Sequence, residues 1–198
     1  MDFEWVPCLN IKYKNLVIFQ ACCQHLGGKP TQQDSCLCIP NLFNEPSCAL
    51  FAVMDGHGQQ GDHVAHFVRD RLEALAKLYK PQIMAKNQDI LKNIFENMHD
   101  CLAEYKEIDT YMSGTTMTLA IKVDRTLLVG NVGDSTAYLL RKKDSAISVS
   151  PEKSTPFEIV RVTVDHNCTV AEERDRILAS GGRIDKVTNL DDGQPLVS

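Results

Sequence analysis

Residues 51 to 58 read FAVMDGHG, four apolar residues running directly into Asp55, Gly56, His57 and Gly58. A tight turn needs glycine for its backbone freedom, but it needs neither a carboxylate nor an imidazole. Asp55 stands where a buried strand gives out, so its carboxylate projects from a rigid sheet edge, as a hard-metal ligand requires. Gly56 lets the backbone approach closely, and a carbonyl freed at such a turn can bind the same cation. A plain Asp-Gly turn explains the stretch equally well when it is taken alone. A second carboxylate shifts the balance: Asp34, in QQDSCLCI, stands just before another strand-like run. If those two strands are neighbours, two acids meet at one sheet edge. Such a meeting invites one or two divalent ions, and a pair about 3.5–4 Å apart is the arrangement that activates a bridging water against phosphorus. His57 is then placed to give a proton to the leaving oxygen, the alternative being a turn histidine satisfied by the backbone.

Outward from this stretch, the chain reads as strands, then helices, then strands. Residues 16–23, 35–39 and 49–54 are apolar, β-rich runs separated by Gly, Pro and Asn turn signals. The period then changes. Val64, Phe67, Val68, Leu72, Leu75 and Leu78 recur at helical spacing over residues 62–79, with Pro81 closing that helix. Ile90, Leu91, Ile94, Phe95, Met98, Cys101, Leu102 and Tyr105 form the stripe of a second helix. Residues 115–123, 126–132 and 135–141, joined at Asp124-Arg125 and Gly133-Asp134, have the pattern of antiparallel hairpins and imply a second sheet. Residues 158–164 form a short extended run, and residues 171–180 a helix stopped by Gly181-Gly182. This order predicts an α+β fold with antiparallel sheets rather than a βαβ repeat. Residues 142–157 are polar and read as an exposed loop.

A chain of 198 residues with 43% hydrophobic and 24% charged content supports one domain with a substantial core. The formal charge of −5, without a Lys/Arg block, argues against nucleic acid or an anionic membrane as partner. No run approaches the roughly 18 apolar residues of a membrane span, and the N-terminus lacks the pattern of a signal peptide. The expected location is cytoplasmic or nuclear, and the eight cysteines are accordingly expected to be reduced and mostly buried. A zinc module built on Cys22, Cys36, Cys38, Cys48, His63 and His66 is a weak alternative, because no Cys-x-x-Cys pair exists.

Four motifs then occur in order: DGHG at 55–58, SGTTMTLAI at 113–121, LLVGNVGDSTAYLL at 127–140 and VTVDHNCTVAEERDRILASGGRI at 162–184. In order and spacing they resemble the metal-dependent type 2C (PPM family) serine/threonine protein phosphatases, over about residues 16 to 190 of a single domain spanning 1–198. The resemblance implies two antiparallel β-sheets packed as a sandwich and flanked by pairs of helices. It implies hydrolysis of phosphoserine and phosphothreonine esters by a metal-activated water at a binuclear Mg2+ or Mn2+ site. Position by position, Asp34 matches an aspartate that holds one metal, Asp55 the one that bridges both, and Gly56 the glycine whose carbonyl binds the second. His57 matches the proposed general acid, and Asp134 an aspartate near a third, weaker metal position. Ser113, Gly114 and Thr115 match a motif at the base of the site, read as structural. Phosphorylated proteins are the implied partners of a monomeric enzyme.

The departures are specific. Gln33 stands where many members carry glutamate, and Thr136 stands in place of the usual arginine after GDS. Lys29 takes the place of the arginine that binds the substrate phosphate, offering a point charge without a bidentate fork. The C-terminal third of the family's catalytic domain, with two further metal aspartates, has no counterpart here; Asp192-Gly193 is read as a loop. Two expectations therefore stand side by side: a phosphatase, or a catalytically inactive relative or fragment that binds partners.

Overall fold

The computed structural model describes residues 11–12, 24, 31–142, 157–184, 187–188 and 195–196. At its centre is an antiparallel sheet with strand order β1 (Ile11–Lys12), β6 (Thr126–Val132), β5 (Met117–Val123), β3 (Cys48–His57), β2 (Asp34–Ile39); β4 (Gly114–Thr115) also pairs with β3. Side-chain alternation along β3 explains what this sheet packs against. Leu50, Ala52 and Met54 are buried on one face, while Val53, Asp55 and His57 are exposed.

The buried face is covered by α1 (Gly61–Leu78) and α3 (Asp89–Glu104). Val64, Phe67, Val68 and Leu72 of α1 and Ile90, Leu91, Ile94 and Met98 of α3 are all buried there, as their helical spacing predicts. All of them but Val64 meet Leu119, Ile121 and Val123 of β5 and Leu128 of β6 in one continuous core. Pro81 does not simply close α1. It sits in the first turn of a short helix, α2 (Lys80–Met84), where its missing N–H costs nothing.

The hairpin expected at Asp124-Arg125 forms: β5 and β6 pair from Met117↔Val132 to Val123↔Thr126, with Asp124 at φ 53°. This pair joins the central sheet rather than starting a second one. The hairpin expected at Gly133-Asp134 does not form. After Gly133, at φ 95°, the chain leaves the sheet, and β7 (Tyr138–Lys142) pairs instead with β8 (Phe157–Arg161). That two-stranded unit is a second antiparallel sheet, with Arg141 Nε 2.8 Å from Glu158 Oε2 across it. α4 (Ala171–Ala179) follows and ends at Gly181, in the left-handed region, as expected. β9 (Val187–Thr188) and β10 (Pro195–Leu196) form a small separate ladder. The run at 16–23 and most of the loop at 142–157 lie outside the described residues.

The cysteines divide. Cys38, Cys48, Cys101 and Cys168 are free thiols, with Cys48 fully buried and its Sγ 3.5 Å from Met84 Sδ. Cys36 is disulfide-bonded, which corrects the expectation of reduced thiols throughout, and Cys38 is exposed rather than buried. Both lie on β2, which among the described residues pairs only with β3, on the face turned away from the helices.

Because the central strand β5 carries its apolar side chains into the helix layer, Leu119→Ala should cost about 2–5 kcal/mol of unfolding free energy. Denaturant unfolding followed by circular dichroism measures it. The same change at exposed Leu178 of α4 should cost under about 0.5 kcal/mol.

Candidate metal centre

The ladder between β2 and β3 places Asp34 directly opposite Asp55 as its terminal register pair. In an antiparallel pair, directly opposite residues share a face, with Cβ atoms about 4.5–5.5 Å apart. Two carboxylates are thus held together at one sheet edge, on the face turned away from the helices. Asp34 is partly buried and Asp55 is exposed.

The turn after Asp55 is fixed by close backbone packing. A methyl group on Gly56 would lie 2.2 Å from Gly61 O and 2.6 Å from Gln33 O, so no side chain fits. The Gly56 N–H donates to Gln33 O at 3.1 Å, and Gln33 Nε2 donates to Gly58 O at 2.6 Å. Gln33, expected to matter as a substitute for a glutamate, therefore acts as the brace of the turn. Gly58 has φ 83°, and a side chain there would meet Met112 O at 1.9 Å. The loop before β4 locks onto the same turn: Gln60 N–H donates to Ser113 Oγ at 2.9 Å, and Asp109 N–H donates to Gln60 Oε1 at 2.7 Å.

His57 is exposed and pairs in register with Gly114. Its Nε2 and Cε1 lie 2.8 Å from where a Gly114 Cβ would stand. The Ser113-Gly114-Thr115 motif thus has a concrete task. Ser113 holds the turn, and Gly114 makes room for the imidazole.

A residue that sequence reasoning missed ties the edge together. Thr116 breaks the line between β4 and β5; its Oγ1 accepts from Asp55 N–H at 3.0 Å, and its own N–H donates to Asp55 O at 2.9 Å. The same hydroxyl is 2.7 Å from Ser135 Oγ. Thr118 Oγ1 shares its one proton between Ser135 O at 2.9 Å and Asn131 Oδ1 at 2.5 Å. The turn at 133–136 is thereby fastened to the strand that carries Asp55. Asp134 lies at this edge, exposed, and its carboxylate does not join the other two in a group of three.

Thr136 is not left without an arginine. Arg161 Nη2, from β8, donates to Thr136 Oγ1 at 3.2 Å and pairs with Asp165, which also accepts from Thr136 at 3.2 Å. The Arg161 guanidinium holds the Asp165 carboxyl below its ordinary range. Next to it, burial pushes the half-buried His166 imidazole down, against the opposing pull of Glu173. Glu173 itself is paired with Arg176.

The donor chemistry decides what this edge can hold. Two carboxylates and a strand-end carbonyl are hard oxygen donors, suited to Mg2+ or Mn2+. Among the described residues no three His, Cys, Asp or Glu side chains gather as a metal-binding group. The fit is therefore to one divalent cation shared by Asp34 and Asp55; a second cation would find no acidic cluster of its own among these residues. The zinc alternative likewise finds no cluster there. Lys29 lies outside the described residues.

Two substitutions separate the roles. In chelator, Asp34→Asn should raise stability by up to about 1 kcal/mol, because it removes a like charge directly opposite Asp55. Gly56→Ala should lower it by about 1–3 kcal/mol, because backbone must move. Thermal unfolding of the three proteins reads both signs.

Residues 22–193 match the family described as protein phosphatase 2C. A probable protein phosphatase 2C 35 of Arabidopsis thaliana is 31% identical over 170 residues, covering 81% of this chain and 43% of that protein. A protein phosphatase 1L of Bos taurus is 28% identical over 191 residues, covering 93% of this chain and 48% of its own. The chain thus spans about half the length of these relatives. Among solved structures, a bacterial serine phosphatase superposes with a TM-score of 0.55 at 21% identity, over 78% of this chain and 56% of that one. A sex-determining protein of C. elegans superposes with a TM-score of 0.61 at 16% identity, over 98% and 42%. With Asp55, Gly56, Thr116 and Asp134 brought to one sheet edge and this match along most of its length, the chain belongs to the protein phosphatase 2C family.

Proposed function

We propose that the chain acts as a metal-dependent protein serine/threonine phosphatase at the edge formed by Asp34, Asp55 and His57. The observation that carries this reading is the register pairing of Asp34 with Asp55. Two carboxylates in register at the end of a ladder form a pair of hard oxygen donors, which is what a divalent cation takes. Asp34, Asp55 and the Gly56 carbonyl would hold the ion, Mg2+ or Mn2+, and the family's second ion would need donors beyond the described residues. When bound, such an ion supplies a Lewis acid that activates water and withdraws charge from phosphoryl oxygens.

The chain's own side chains do the rest. Thr116 fixes the Asp55 backbone from both sides, so the carboxylate is positioned before substrate arrives. His57, seated on Gly114 and open to solvent, is placed to protonate the serine or threonine alkoxide as the ester bond breaks; such a proton transfer contributes about 10²–10⁴-fold. Lys29 is assigned to the substrate phosphate, and Asp134 to a weaker cation position. The substrates are phosphorylated proteins, and the enzyme acts as a monomer, without nucleic acid or membrane, in cytoplasm or nucleus. Among the described residues no helix is long and apolar enough to cross a membrane.

A second reading, an inactive relative that binds partners, is favoured by the same donor count: among the described residues, two carboxylates are paired and no group of three forms. Phosphate release from a phosphothreonine peptide in Mn2+ separates the two. The phosphatase reading expects turnover that disappears in Asp55→Asn and falls about 10²-fold or more in His57→Gln. A folded chain that releases no phosphate establishes the binding reading instead.

A further inference from the structure

His57 is exposed, so close packing alone does not aim its imidazole; the backbone that carries it does. On one side that backbone belongs to a ladder, where Gly56 and His57 pair with Thr115 and Gly114 of β4. The other side has left it. β3 ends at His57, and Gly58 lies beyond at φ 83°.

One residue reaches both sides. The main-chain oxygen of Gln33 accepts from the Gly56 N–H at 3.1 Å, and its Nε2 donates to Gly58 O at 2.6 Å. A carbonyl can only accept, so the amide nitrogen must face Gly58, which fixes how the side chain lies. The peptide bond through which Gln33 accepts is shared with Asp34, whose own N–H donates to Gln32 Oε1 at 3.1 Å. His57 is thus bracketed by the residue that adjoins a cation-binding carboxylate. Asp55 and His57 share β3, whereas Asp34 comes from β2; Gln33 ties the second carboxylate to the acid.

The chemistry gives this bracket a purpose. In the hydrolysis, water's oxygen bonds to phosphorus and releases one proton to solvent. The ester P–O bond breaks with its electron pair on the serine or threonine oxygen, and that oxygen takes the imidazole proton. In an in-line displacement the incoming and leaving oxygens stand on opposite sides of phosphorus, so the carboxylate pair and the proton donor must keep a fixed separation. A misplacement of about 1 Å can cost about 10²-fold.

We propose that Gln33 is a positioning residue for proton transfer, aiming His57 relative to the Asp34–Asp55 pair. The proposal rests on the phosphatase reading, and it predicts a loss that depends on the leaving group.

Two esters separate aim from stability. A phosphothreonine peptide leaves as an alkoxide that needs a proton, while p-nitrophenyl phosphate leaves as a phenolate that does not. In Mn2+, Gln33→Ala should lower kcat for the peptide about tenfold more than kcat for p-nitrophenyl phosphate, with the peptide KM moving less than about threefold. In a His57→Gln background the same change should lower the peptide kcat less than about twofold, because no imidazole is left to aim. Gln33→Glu keeps the shape but cannot donate to Gly58 O; it should repeat the result, and it serves if the alanine variant misfolds. Equal losses on the two esters, or full additivity with His57→Gln, overturn the proposal by reducing Gln33 to a structural brace. A second readout needs no turnover. In chelator, the nuclear Overhauser contact between the His57 ring and Gly114, expected from their packing, should be lost in both Gln33 variants, and its survival overturns the proposal. A folded chain that hydrolyses neither ester defeats the phosphatase reading, and the Overhauser contact then decides the positioning on its own.

Discussion

Two aspartates face each other across the end of a β-ladder, and the architecture around them is arranged so that they cannot part. Like charges in register on adjacent strands repel, and a slip of one residue between β2 and β3 would separate them. That slip is forbidden by the other face of the same strands. Leu50, Ala52 and Met54 are buried against the helices, and moving the register by one would turn Ser35, Leu37 and Ile39, which pair with them, to the opposite face. Core packing on one side of the sheet thus holds two carboxylates in register on the other.

The backbone around the pair is equally constrained. Gly56 and Gly61 touch without room for a side chain, so the start of α1 sits against the turn that follows Asp55. Thr116 clasps Asp55 by both backbone groups, and Ser135 carries the connection to the chain leaving the central sheet. Arg161, Thr136 and Asp165 then join that segment to β8. A charge cluster from the second sheet is in this way linked to the carboxylate edge through hydroxyl groups, each able to donate and accept.

Much of this was legible in the sequence, for reasons that differ by element. α1 and α3 follow from helical period because each buries one stripe. Asp34 and Asp55 could be singled out because each flanks a strand-like run, although their pairing required knowing that the runs are neighbours. Thr116 was not legible: a threonine beginning a strand looks like any β-branched residue, and only the break between β4 and β5 turns its hydroxyl toward Asp55. The role of Arg161 was hidden for a similar reason, since 25 residues separate it from Thr136. The Gly133-Asp134 hairpin was misread because a glycine turn signals a change of direction without naming the strand that follows. Cys36 was misjudged because a strand residue was taken to be buried, whereas its side chain is only partly buried.

The account stands on Asp34 and Asp55 forming a cation site, and titration with Mn2+ followed by electron paramagnetic resonance tests it most directly. Saturable binding by the intact chain, lost when Asp55 becomes asparagine and displaced by excess Mg2+, is the predicted result. Binding that is absent, or that is unchanged in both Asp34→Asn and Asp55→Asn, would contradict the account and leave the paired carboxylates without a function.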